Sequence, residues 1–122
     1  MAKIGNDRMI VRGERRADGS WLFTICYTAH FAEDDLGRRF DDSVQIAGIR
    51  RTGQLPPVCG SPVSFRATAS QVFRKKRIVV RPDAYDPNTG PPAVRALIRL
   101  HRDGDAHAVE DEQHTPAVPS AR

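Results

Sequence analysis

Two thiols, Cys26 and Cys59, and four imidazoles, His30, His101, His107 and His114, are the nucleophiles, bases and soft ligands in this chain. Cys26 and His30 are spaced Cys-x3-His and share one face if the segment is a strand, but four residues of strand span roughly 13 Å. A zinc ion held at roughly 2.0–2.3 Å from each ligand would need a helix there, or Cys59 or His101 folding in. A Cys26/His30 or Cys59/His30 nucleophile–base pair would have to meet in space and not along the chain. No G-x-S-x-G elbow, phosphate-cradling glycine loop, G-x-G-x-x-G turn or H-E-x-x-H helix accompanies these residues. The pattern argues against an enzyme, and no catalytic, cofactor-binding or metal-ligating set is expected.

Charge supplies the other candidates. Glu33-Asp34-Asp35 and Asp41-Asp42 are hard oxygen ligands that could hold calcium at one end of a sandwich, although acidic loops between strands are commonly only solvated. Asp86-Pro87-Asn88-Thr89-Gly90 has the start of a calcium loop, but its twelfth position is Leu97 where Glu is needed. The run Arg74-Lys75-Lys76-Arg77, with Arg81 and the pair Arg50-Arg51, offers contacts to a polyanion such as nucleic acid. On a strand these four cations alternate faces, so both sets are solvated only at a sheet edge, where charge also blocks unwanted pairing. Readers of single strands add exposed aromatics for stacking, and here the aromatics fall mostly on inward positions.

These groups must be carried by strands. Ser20 to Phe31 alternates Trp21, Phe23, Ile25, Tyr27, Ala29 and Phe31 with Thr24, Cys26, Thr28 and His30, the period of a strand buried on one face. Its odd face is core. Its even face is a polar stripe of low charge in an Arg-rich protein, and so a candidate interaction surface. Met9-Ile10-Val11 reads as a short first strand after a frayed start, and Asp18-Gly19 predicts a hairpin joining it antiparallel to the organising strand. Beyond Phe31 the sequence predicts a loop or short helical turn, with Asp41-Asp42 at the entrance of a third strand over 40–49. The Pro- and Gly-rich stretch 50–62 is a loop that could bind a partner. Residues 63–67 form a fourth strand, and 71–80 a fifth that the basic run interrupts. The segment 93–101 fits a helix behind Pro91-Pro92 or a strand, and the complete inward set Val94, Ala96, Ile98 and Leu100 favours the strand.

With 122 residues, 39% hydrophobic and 28% charged, the chain has room for one core. No purely apolar run exceeds three residues, which excludes a transmembrane helix. The first residues lack the apolar stretch of a secretory signal, and two cysteines suit free thiols in a reducing cytoplasm. The 16 Arg against 3 Lys are consistent with GC-rich coding. Residues 103–122 carry five acids against Arg122, leaving residues 1–102 at a net +8. That acidic, Ala/Pro-rich tail is expected to be disordered, with the sandwich domain confined to 1–102.

About six to seven strands with Gly/Pro turns and no αβ alternation predict an all-β, antiparallel sandwich. The outline resembles an immunoglobulin-like or fibronectin-like sandwich, as an architecture only, because Trp21 precedes Cys26 and the Cys…Trp…Cys order of true immunoglobulin domains is absent. The expected function is that of a small non-enzymatic binding or adaptor module, its partner another protein. The alternative is polyanion binding by the basic body, with the acidic tail competing for the same surface.

Overall fold

The structure is a computed structural model and describes residues 2–50, 53–54, 58–81, 93–103, 109–116 and 118–119. Two antiparallel sheets pack face to face. The first orders β1 (Lys3–Arg15), β2 (Trp21–His30) and β7 (Gln71–Val80) as β1-β2-β7. The second is built on β3 (Arg39–Arg50) and β8 (Ala93–Arg102). Short strands β4 (Gly53–Gln54), β5 (Val58–Cys59) and β6 (Val63–Arg66) share the lane outside β3, while β9 (Val109–His114) and β10 (Val118–Pro119) share the lane outside β8. The all-β sandwich predicted from strand periodicity is therefore the fold.

Alternation decides which side chains meet. Phe23, Ile25, Tyr27 and Ala29 are fully buried against Ile46, Val94, Ala96, Ile98 and Leu100 of the second sheet. Phe31, Phe40 and Phe65 close one end, with Phe31 and Phe40 ring centroids 4.8 Å apart. Each such large apolar side chain removed from water stabilises the fold by about 1.5–3 kcal/mol. The Asp18-Gly19 hairpin forms as expected: Gly19 has φ 85°, and Asp18 Oδ1 accepts hydrogen bonds from Ser20 N at 2.9 Å and Ser20 Oγ at 2.6 Å. The segment 93–101 is a strand, and 33–35 is a single 3-10 turn.

Several expectations change. The first strand starts at Lys3 rather than near Met9, and a register shift between Gly5 and Ile10 absorbs the polar residues that hid it. The stretch 50–62 contributes two short rungs, β4 and β5, against β3. The basic run does not interrupt β7, because the pleat sends its cations to opposite faces. The tail expected to be disordered from residue 103 supplies β9 and β10, so the sandwich extends past 102. Acid-rich β9 is stable as a strand because its charges meet those of β8: Glu112 approaches Arg99 at 3.5 Å and Glu110 approaches Arg102 at 3.4 Å. Thr115 then seals the end. Its N–H donates to Ala96 O and its Oγ1 accepts from Ala96 N, both at 2.9 Å.

Candidate functional site

Because β7 is an edge strand with one face on the core, its residues divide strictly. Val72, Arg74, Lys76, Ile78 and Val80 face inward, whereas Gln71, Phe73, Lys75, Arg77 and Val79 are exposed on the outer face. The seven polyanion contacts expected from sequence therefore do not form one patch.

Two of them are removed by the interior. Asp42, read from sequence as a solvated loop acid, is fully buried on β3 and is the counter-charge for both inward cations. Arg74 Nε reaches Asp42 Oδ2 at 2.8 Å, Arg74 Nη2 donates to Oδ1 at 3.2 Å, and Lys76 Nζ donates to Oδ1 at 2.7 Å. Tyr27 Oη donates to Oδ2 at 2.6 Å. Burial alone would raise the Asp42 carboxyl, but the hydrogen bonds from Arg74, Lys76 and Tyr27 outweigh it and hold the pKa below the ordinary carboxylate range. Burial first, then the Asp42 charge, pushes the Tyr27 hydroxyl far above its ordinary value. Arg74, raised mainly by its bond to Asp42, lies with its guanidinium 4.1 Å from the Phe65 ring centroid. This cluster joins three strands across the two sheets. With the carboxylate sealed from solvent, its role is structural.

The remaining acids do not join it. Asp35 Oδ2 accepts from Ala32 N at 3.2 Å inside its own turn, and no three His, Cys, Asp or Glu side chains gather among the described residues. The Asp86–Gly90 segment and Arg51 lie outside the described residues. Arg50 ends β3 with its side chain likewise outside them, and Arg81 is exposed just past β7.

The other half of the basic run meets the polar stripe. Register places Arg12, Thr24 and Arg77 in one row across the first sheet, and Ile10, Cys26 and Lys75 in the next. With Glu14 and Leu22 they line a hollow of about 340 Å³ on the outer face. Thr24 and Cys26 are its half-buried floor. Thr28 and His30 continue the stripe on the same face, and the His30 ring covers Gly5, where any Cβ would fall 2.5 Å from Nε2. Lys3 stands beside His30 at that end. The outer face so carries Lys3, Arg12, Lys75 and Arg77 against Glu14. None of these five makes an ion pair with a described residue.

Three large apolar side chains lie among them, Phe73 at 64% exposure, Ile10 at 52% and Val79 at 52%. Sequence reasoning missed Phe73. The signal was present, since Phe73 has the phase of Lys75 and Arg77 and not that of Ile78 and Val80.

Cys26 and Cys59 are both free, the former half-buried in the hollow and the latter exposed on β5 of the other sheet. The Cys59/His30 combination is split between the two sheets, with β5 on the second and β2 on the first. The acidic strand β9 lies on β8, with Glu112 beside Arg99 and Glu110 beside Arg102, while Asp111 accepts a hydrogen bond from Ile4 N on β1.

No protein-family model matches the chain, and no curated protein matches it. Solved structures with a similar fold include a provisionally assigned β-galactosidase from Bacteroides fragilis, with TM-score 0.56 at 11% identity over 93% of this chain. A Bacteroides uniformis β-glucuronidase gives TM-score 0.54 at 9% identity over 93% of the chain. The chain spans 17% and 14% of the lengths of those proteins. The likeness is one of fold, to a β-rich portion of each. No helix among the described residues is long and apolar enough to cross a membrane.

Proposed function

We propose that this protein is a non-enzymatic binding module that holds an acidic macromolecule on the outer face of its β1-β2-β7 sheet. The observation that supports this most is the row structure of that face: Arg12, Lys75 and Arg77 bracket the polar floor of Thr24 and Cys26, outnumber Glu14 in the described lining, and make no ion pair with a described carboxylate. Cations left open to solvent around a concave floor attract an anionic partner and speed its encounter. The exposed Ile10, Phe73 and Val79 supply the apolar contact that an adaptor also needs. The partner expected from sequence, another protein, fits this face if its docking surface is acidic.

Three lanes packed on four are consistent with the immunoglobulin-like or fibronectin-like arrangement, which serves here as a rigid platform. Two free thiols are consistent with a cytoplasmic setting.

Immobilised heparin at low salt tests the reading. The wild-type chain is expected to be retained and to elute as salt rises, while the triple variant Arg12→Glu/Lys75→Glu/Arg77→Glu passes through. Co-elution of the two proteins would show that this face is not the binding surface.

A further inference from the structure

We propose that the acidic partner is single-stranded nucleic acid, with a base stacked on Phe73 and successive phosphates held by Lys75, Arg77 and Arg12. This rests on the reading of the outer face as the binding surface and specifies what lies on it. Along β7 the exposed series runs Phe73, Lys75, Arg77, Val79, an aromatic plane followed by an ammonium and a guanidinium. Consecutive members are two residues apart, roughly 6.6 Å along the strand, a step that an extended polynucleotide backbone can follow. Interleaved aromatic and cationic side chains on an open sheet face are what a strand of unpaired nucleotides requires, because every base offers a π-face and every linkage a charge.

The transverse geometry agrees. Arg12 and Arg77 sit two strand spacings apart, roughly 9.5 Å, with only Thr24 between them. The backbone can lie in the hollow between the two walls while Thr24 offers a hydroxyl from its floor. Phe73 is paired opposite Thr28, one step beyond Lys75, where a base leaving the hollow would land.

The competing ligands use this face less fully. An acidic polypeptide engages the cations but offers Phe73 a planar partner only where it carries an aromatic residue, whereas every nucleotide brings one. A duplex keeps its bases stacked on one another, so it presents phosphates alone to a flat sheet. A sulfated polysaccharide has the charge but not the bases.

Fluorescence anisotropy on the full chain, with labelled oligothymidine at low salt, gives the test. Binding is expected, with log affinity falling against log salt at a slope near −2, since three phosphates each contribute about 0.7. Phe73→Ala is expected to weaken oligothymidine about tenfold, the scale of one lost base stack, and to leave heparin retention unchanged. Phe73 is exposed, so an unchanged circular dichroism melt verifies that the variant folds. Lys75→Glu/Arg77→Glu abolishes both ligands, and Arg95→Glu on the opposite sheet affects neither.

Heparin retention without oligothymidine binding overturns the proposal but leaves the acidic-partner reading standing. So does equal binding of duplex, of polyglutamate, or of oligothymidine by Phe73→Ala. Absence of heparin and oligothymidine binding alike overturns both.

Discussion

On the inner face of β7, Arg74 and Lys76 meet one buried carboxylate at 2.8 and 2.7 Å; on its outer face, one residue out of phase, Lys75 and Arg77 meet no described carboxylate. The four residues are consecutive and chemically alike. What separates them is the pleat, which turns a single basic run into two surfaces with opposite requirements. An ion taken out of water needs its partner at hydrogen-bond distance, whereas an ion left in water is available to a ligand. A basic run on an edge strand is thus half scaffold and half surface, and only the second half can serve recognition.

That contrast can be broken most severely at Asp42. Asp42→Asn leaves Lys76 and the Arg74 guanidinium without their counter-charge and is expected to destabilise the fold by about 3–5 kcal/mol, measured by urea unfolding. Tyr27→Phe removes a hydrogen bond to the same carboxylate and should cost about 1.5–3 kcal/mol, read as a lower urea midpoint at constant slope. Lys76→Met should cost a similar amount, about 1.5–3 kcal/mol. Lys75→Met, its outward neighbour, should change stability by no more than about 0.5 kcal/mol and weaken heparin retention instead. Equal stability losses at 75 and 76 would erase the distinction between the two faces.

Acid provides a gentler probe. The folded-state pKa of Asp42 is depressed, so its ionised form stabilises the protein fully above the unfolded carboxylate value of about 3.9. This contribution drains away as pH falls through the lower folded value. Thermal melts from neutral pH downward should show the wild type losing stability in that acid window, with Asp42→Asn showing a shallower decline. Identical pH profiles would mean that the Asp42 carboxylate is not the group whose ionisation the fold depends on.

Much of this was readable from residue phase. The odd face of 21–31, the strand over 93–101 and the Asp-Gly hairpin each follow from local alternation or from a turn that needs a positive φ. The ion cluster was legible in principle and passed unnoticed. Arg74 and Lys76 share the phase of Ile78 and Val80, and Asp42 shares that of Val44 and Ile46. Two inward cations call for a buried anion, and Asp42 on β3 is an acid in the matching phase. What no local pattern could supply was β9. Val-Glu-Asp-Glu-Gln-His looks unfit for a strand until Arg99 and Arg102 of β8 stand beside it. The hollow was likewise invisible, because Arg12, Thr24 and Arg77 come from three separate strands and meet only through register.

Asp111 on β9 accepts, through Oδ2, a hydrogen bond from the backbone N–H of Ile4 on β1 at 2.8 Å. The two partners of this contact are 107 residues apart along the chain. The β1-β2 hairpin is closed by a local turn and can pair without β9, whereas the Asp111 contact waits until β9 has been laid on β8. Until then that margin of β1 lacks the carboxylate, and an open strand edge is the kind of surface on which folding intermediates associate.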